Sequence, residues 1–291
     1  MTRTPVRELL RRGTADLARA GSPSPAAEAR TLLSHVMGTE PGRLVLAPDA
    51  TAEQAEHFQH LVARRTTGIP VQHLTGEAWF RTVRLAVGPG VFVPRPETEV
   101  MTGWALERLA GLPEPVVVEL CAGSGAISKA IAAEHPGARQ YAVELDETAH
   151  DWARRNLADT GVELRQGDMA DAFRDLDGTA DLVIANPPYI PLDAWESVTA
   201  EVRDHDPALA LWSGDDGLDA TRVVAAVAAR LLRPGGWACS EHAEVQHHSA
   251  PEVFVQTGAF GQVRDLPDLT GRPRFVTAQR SGSGVAGCTG E

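Results

Sequence analysis

From Val116 onward, short apolar runs alternate with stretches of helical spacing, and few folds accept that alternation. Val116–Leu120, Gln140–Val143, Glu163–Arg165 and Leu182–Ala185 have the length and residue types of strands, whereas Ala126–Glu134 and Thr148–Asp159 between them are spaced as helices. Each crossover from one such strand to the next lays a helix on the sheet, so the pattern demands a parallel sheet covered on both faces. The expected fold class is α/β, a Rossmann-like sheet. Further on, a helix over Leu218–Leu232, a strand over Trp237–Ser240, a helix over Val245–Gln256 and extended segments near Gln262 and Phe275 continue it.

The 291 residues exceed what one domain of about 150 needs. The surplus lies upstream, where Leu9, Leu10, Leu17 and Ala18, then Leu32, Leu33 and Val36, then Phe58, Leu61 and Val62 form three helical stripes. Ser24 and Thr51 stand at helix starts and Gly21, Gly38 and Gly68 at helix ends. Between Val71 and Val93 the period shifts toward two, which predicts a hairpin. The resulting division is a helical domain at 1–70, a hairpin linker at 71–96, a helix from Glu97 to Ala110 opening the sheet domain at 97–280, and a disordered Ser/Gly tail at 281–291.

Twenty-seven basic against thirty-nine acidic residues give a net charge of −12, so no global positive field collects nucleic acid or anionic membrane. Cys121, Cys239 and Cys288 are odd in number and contain no C-x-x-C pair, which fits neither a disulfide framework nor a zinc site. No metal is expected, and a reducing cytoplasm suits the thiols. The first residues lack an apolar signal core, and no uncharged apolar run approaches the ~18 residues of a membrane helix.

Two segments carry chemistry. In Val116-Val-Val-Glu-Leu-Cys-Ala-Gly-Ser-Gly-Ala126 a buried strand runs through a glycine turn into a helix, and Gly123 and Gly125 leave room for a ligand against exposed N–H groups and the positive helix end. An ordinary tight turn has the same composition. Glu144 closes the next strand 21 residues after Gly123, where a doubly wound sheet places an acid on ribose hydroxyls. Together they point to an adenosyl cofactor at the carboxyl ends of the strands.

Asn186-Pro187-Pro188-Tyr189 follows the strand Asp181–Ala185 directly. Two prolines fix two φ angles and remove two donors, leaving carbonyls aimed at a ligand or water. An amide or aromatic amine nitrogen is a poor nucleophile because its lone pair is delocalised. If the Asn186 side-chain oxygen and the Pro187 carbonyl each accept one N–H, the remaining lobe faces an electrophilic methyl, and carbonyl dipoles stabilise the positive charge that develops. Tyr189 packs its ring on the planar group. The alternative is a Pro-Pro turn capped by Asn.

With Val91-Phe-Val-Pro-Arg-Pro-Glu-Thr-Glu99, Gly214-Asp-Asp-Gly-Leu218, Leu232-Arg-Pro-Gly-Gly236, Glu241-His242 and Asp268-Leu-Thr-Gly-Arg-Pro-Arg274, these segments resemble, over nearly the whole chain, the class I S-adenosylmethionine methyltransferases of the PrmC (HemK) type. That family methylates the glutamine of the Gly-Gly-Gln motif in peptide-chain release factors. The resemblance implies that the helical N-terminal domain helps to bind the release factor and that the enzyme acts as a monomer. It also implies that Ala122, Gly123, Gly125, Glu144, Asp168, Met169 and Asn186 contact the methyl donor. Asn186, Pro187, Pro188 and Tyr189 would receive the glutamine amide, with Arg95 beside them. Asn-Pro-Pro-Tyr is shared with DNA adenine and RNA guanine methyltransferases, so a base methyltransferase stands as an alternative, as does a glutamine methyltransferase of a ribosomal protein.

Cys121 and Ala122 stand where many relatives carry Gly and Thr, and Met169 where some carry an aromatic residue; all three are small or adaptable. Arg95 and Glu97 also read as a helix start, and Asp168 also as a turn carboxylate. Glu241-His242 has the look of a catalytic pair, but nothing supplies a nucleophile beside it, and it reads as a strand end. The arginines between Arg3 and Arg19 read as a solvated helix face.

Overall fold

The computed structural model describes residues 3–282. The chain divides into two compact units, the first made of the residues up to Glu77 with Val87–Pro89 and Thr199–His205, the second of the rest. In the first, α1 (Val6–Arg19), α2 (Pro25–Met37), α3 (Ala52–Arg65) and α4 (Val71–Thr75) bury Leu9, Leu17, Leu32, Leu33, Phe58, Leu61 and Val62 in one core. A glycine sits inside α1 because the Phe58 ring occupies its flank: a Cβ on Gly13 would stand 2.6 Å from that ring. Thr51 opens α3 with a full capping box, its hydroxyl accepting from the Gln54 N–H while the Gln54 side chain accepts from the Thr51 N–H. Arg11 and Arg12 pair with Glu8, and Arg19 with Asp16, on a solvated face.

The second unit opens with the hairpin β1 (Glu77–Phe80) and β2 (Val83–Ala86), followed by α5 (Pro96–Leu109), β3 (Val116–Leu120), α6 (Ala126–Glu134), β4 (Arg139–Glu144), α7 (Glu147–Leu157), β5 (Glu163–Gln166) and β6 (Ala180–Ala185). After α8 (Ala200–His205), which belongs to the first unit, come α9 (Asp219–Leu231), β7 (Leu232–Glu241), α10 (Ser249–Gln256), β8 (Phe260–Pro267) and β9 (Pro273–Arg280). Seven strands form one sheet in the order β5-β4-β3-β6-β7-β9-β8. Right-handed crossovers explain its two covered faces: stepping outward from β3 to β4 and β5 lays α6 and α7 on one face, and stepping the other way from β6 to β7 lays α9 on the opposite one. Val118, Leu120, Val183, Val224, Phe254 and Val276 are among the residues that fill the core against it.

Two sequence expectations need correcting. Val71–Thr75 is helical rather than part of the hairpin, because Pro70 opens the turn, Val71 and Leu74 fall on one buried face, and Gly76 closes it with φ +75°. The sheet is also not parallel throughout: β9 runs antiparallel to both β7 and β8. The tail expected at 281–291 lies outside the described residues except for Ser281 and Gly282. Among the described residues no helix is long and apolar enough to cross a membrane.

Candidate active site

Register brings the site together. Leu120 of β3 pairs with Val143 of β4 and with Ala185 of β6, and Ala185 pairs in turn with Ser240 of β7. Glu144 pairs with Gln166 of β5. The residues that follow these pairs therefore leave the sheet side by side at its carboxyl edge: Asp168 after β5, Glu144 ending β4, Cys121 and the glycine turn after β3, Asn186 after β6, and Glu241 ending β7. The chain reverses direction across the sheet between β3 and β6, and a crevice at such a switch point is where open α/β sheets bind ligands.

At the turn, Cys121, Gly123 and Gly125 have φ values of +59°, +55° and +76°. The two glycines serve different ends. A Cβ on Gly125 would press on Leu157 of α7 at 3.0 Å, so that glycine permits close packing, whereas a Cβ on Gly123 would meet nothing within 4 Å and opens onto free space. Glu144 braces the open side, its carboxylate accepting from the Gly123 N–H at 2.7 Å and from the Asp146 N–H at 2.9 Å. Each carboxylate oxygen keeps acceptor capacity beyond one such bond, which suits hydroxyls of a bound ribose. Beneath the turn, buried Glu119 accepts from the N–H and hydroxyl of Ser128 in α6; burial raises its carboxyl to about 8 despite those bonds, with the Glu144 charge adding to the rise.

Two further residues expected at this site are less committed. Met169 touches Cys121 through their sulfurs at 3.5 Å, so the pair that replaces the usual residues packs together. Asp168 is exposed and accepts from the Ala170 N–H at 2.8 Å, the turn-carboxylate geometry. Arg95 pairs with Asp206 at 2.7 Å and lies 4.9 Å over the Phe92 ring. Its charge reaches the Tyr189 phenol.

The Asn-Pro-Pro-Tyr segment is held from below. Asn186 Nδ2 donates to the Thr98 hydroxyl at 3.2 Å, that hydroxyl donates to Glu241 Oε2 at 2.6 Å, and the Tyr189 hydroxyl donates to Glu241 Oε1 at 3.2 Å. Glu241 and Thr98 are buried. Burial raises the Glu241 carboxyl to about 7, against the lowering pull of Thr98, Arg274 and Tyr189; burial and the Glu241 charge push the Tyr189 phenol well above its ordinary value. Buried Gln246 donates to the Tyr189 carbonyl at 3.0 Å and to the Asp216 carbonyl at 3.2 Å, and Gly217 lies against that same Tyr189 carbonyl.

The strand-end reading of Glu241-His242 is half right. His242 Nε2 lies 2.9 Å from Asp265 Oδ1 and its Nδ1 2.9 Å from the Ala243 carbonyl, a structural pairing, whereas Glu241 belongs to the Asn186 network. Thr98 and Gln246 are residues that sequence reasoning missed. Thr98 lay within the Val-Pro-Arg-Pro-Glu-Thr-Glu segment that pointed to it. Among the described residues no group of three or more His, Cys, Asp or Glu is arranged to hold a metal ion.

A sheet of this order with an open glycine turn and Asn-Pro-Pro-Tyr at adjacent strand ends defines a class I methyltransferase. Residues 8–76 match the description of the PrmC N-terminal domain and residues 117–205 that of a methyltransferase domain. The release factor glutamine methyltransferase of Streptomyces coelicolor is 50% identical over 92% of this chain and 95% of its own length, and that of Mycolicibacterium smegmatis is 45% identical over 95% and 98%. A 4-amino-L-phenylalanine/4-methylamino-L-phenylalanine methyltransferase of Streptomyces pristinaespiralis is 41% identical over 89% of this chain and 90% of its own length. The chain belongs to the PrmC family of release factor glutamine methyltransferases.

Proposed function

We propose that this enzyme transfers a methyl group from S-adenosylmethionine to the side-chain amide nitrogen, N5, of the glutamine in the Gly-Gly-Gln motif of peptide-chain release factors. End-to-end similarity to release factor glutamine methyltransferases, 50% over 95% of one relative's length, carries this reading. The bound donor supplies an electrophilic methyl on a sulfonium. Ala122, Gly123, Gly125, Glu144, Asp168 and Met169 form its cradle, and the free space beside Gly123 supports that role.

Asn186 and the Pro187 carbonyl do the orienting. With the N–H side of its amide given to Thr98, Asn186 has its Oδ1 left to accept an N–H from the glutamine carboxamide, and the Pro187 carbonyl takes the other. Both amide hydrogens are then held, and the nitrogen's remaining lobe is aimed at the methyl. Pro188 stiffens the rim, the Tyr189 ring covers the planar group, and Arg95 stands beside them. The methylated nitrogen is acidic enough to lose its proton to water, so no side-chain base is required.

The first unit docks the protein substrate. It carries a groove lined by Arg3, Met37, Arg43, Leu46, Pro48 and Gln54, of which Leu46 is largely exposed. The enzyme acts as a monomer, and the reaction belongs in the cytoplasm beside translation. Incubation with labelled donor and cell extract, followed by mass-spectrometric location of the label, tests the reading: label on the Gly-Gly-Gln glutamine is the expected result. Label on 4-aminophenylalanine, a ribosomal protein or nucleic acid alone would replace the substrate.

A further inference from the structure

We propose that Glu241, acting through Thr98, is a positioning residue that sets which end of the Asn186 side-chain amide faces the acceptor nitrogen. This rests on the substrate reading above for its catalytic consequence, though not for the relay itself. An ionised carboxylate only accepts, so the Thr98 hydroxyl gives its single proton to Glu241 at 2.6 Å. The Thr98 oxygen is then left with lone pairs alone, and Asn186 must answer with N–H, as it does at 3.2 Å. The amide oxygen is thereby turned away from Thr98, the polarity needed to accept from a carboxamide.

Protonating Glu241 reverses the chain. Its O–H can donate to Thr98, the Thr98 proton becomes available to Asn186, and Asn186 satisfies it by turning its oxygen inward. The NH2 group then faces the acceptor amide, donor against donor. The groups facing Glu241 are Tyr189 from the loop after β6, Thr98 and Glu97 from α5, and Arg274 from β9. Burial, opposed by Thr98, Arg274 and Tyr189 and assisted by Glu97, brings the carboxyl to about 7, so both states lie within reach of ordinary solution conditions.

Two measurements test the relay. The first is the pH dependence of single-turnover methylation of a release factor at saturating donor; the second is the pH titration of the Asn186 side-chain amide resonances in 15N-labelled protein without substrate. In the wild type both should change through pH 7, with activity lost on the acid side. Glu241→Gln, which cannot gain or lose a proton, should flatten both profiles. Thr98→Val, nearly the same shape without the hydroxyl, should lower kcat by ~10-fold or more with a smaller change in KM, and Thr98→Ser should recover most of that loss.

The relay is overturned if the Asn186 resonances do not titrate in the wild type, if Glu241→Gln keeps the acid limb, or if Thr98→Ser is as impaired as Thr98→Val. Should the wild type fail to methylate any release factor, the substrate reading falls while the resonance titration still decides the relay.

Discussion

Replacing Gly217 with alanine forces a methyl group between the Asp216–Gly217 turn and the substrate rim. Gly217 has φ +74°, and an added Cβ would stand 2.4 Å from the Tyr189 carbonyl oxygen, 2.7 Å from Gln246 Nε2 and 2.9 Å from Pro191 Cδ. The left-handed backbone alone costs an alanine roughly 1–2 kcal/mol. Real Cβ contacts essentially never fall below 3.0 Å, so the Tyr189 carbonyl must retreat by at least 0.6 Å. That carbonyl belongs to a backbone in which Pro187, Pro188 and Pro191 have fixed φ, so the shift is passed along to Asn186 rather than absorbed locally. Overpacking adds roughly 1–3 kcal/mol. The expected loss of stability is about 2–5 kcal/mol, and turnover should fall ~10-fold or more, since displacements of this order at an orienting group are amplified in rate.

Gly214 supplies the control in the same loop. It has φ +71°, but its added Cβ would meet the Asp219 carboxylate at 2.2 Å, the free end of a side chain. Asp219 can swing into solvent at the loss of its exposed contact with Arg222, worth at most about 1 kcal/mol. Gly214→Ala should therefore cost roughly 1–3 kcal/mol in stability and leave turnover near normal. Urea unfolding with single-turnover methylation at saturating donor separates the two. Equal losses of rate in both variants would refute the idea that the approach of Gly217 to Tyr189 holds the rim in place.

Four further outcomes follow from the same geometry. Gly123→Ala should lose only the roughly 1–2 kcal/mol of its left-handed backbone but weaken donor binding by calorimetry ~10-fold or more, because the new methyl occupies open space; an unchanged affinity would place the donor elsewhere. Asn186→Ala should lower kcat by ~10²-fold or more while largely sparing donor affinity, and near-normal single-turnover rates would count against the clamp. Glu119 keeps its proton up to about 8 in the folded state against 4.5 ordinarily, so its contribution to stability is complete below 4.5 and is lost as pH rises through 8. Glu119→Gln should remove that loss, and urea midpoints of variant and wild type falling in parallel over this range would contradict it. Arg65, buried in the first unit, pairs with Glu28 at 2.9 Å and Glu201 at 2.7 Å. Arg65→Met should cost ~3–5 kcal/mol by leaving the nearly buried Glu28 carboxylate without its cation; a cost under ~1 kcal/mol would mean the pair behaves as if solvated.

How much of this was legible in the sequence depended on how far apart the interacting residues lie along the chain. Val116–Leu120 and Ala126–Glu134 were readable to the residue, because burial on both faces leaves a central strand apolar but for Glu119 and the glycine turn marks the boundary. Val71–Thr75 misled because five residues cannot separate a period of two from one of 3.6, and only Pro70 and Gly76 distinguish them. The strand expected over Trp237–Ser240 is longer, because Leu232 already pairs with Ala180 across a register shift that accommodates Pro234, Gly235 and Gly236.

The candidate site was legible wherever a proposed residue lies at the end of its own strand. Gly123, Glu144 and Asn186 each do. Glu241 does too, but beside His242 it suggested only a catalytic pair without a nucleophile, since what makes a buried acid meaningful is the hydroxyl it faces, and Thr98 lies 143 residues away on α5. Once register sets Ser240 level with Ala185, Glu241 must stand beside Asn186 at the carboxyl edge. A carboxyl there, cut off from water, needs donors, and the Thr98 and Tyr189 hydroxyls meet that need. The polarity of Asn186 is thus a property of the sheet's register and not of the Asn-Pro-Pro-Tyr segment alone, so that segment set on a sheet lacking the acid and the hydroxyl would keep its stiffness and lose its orientation.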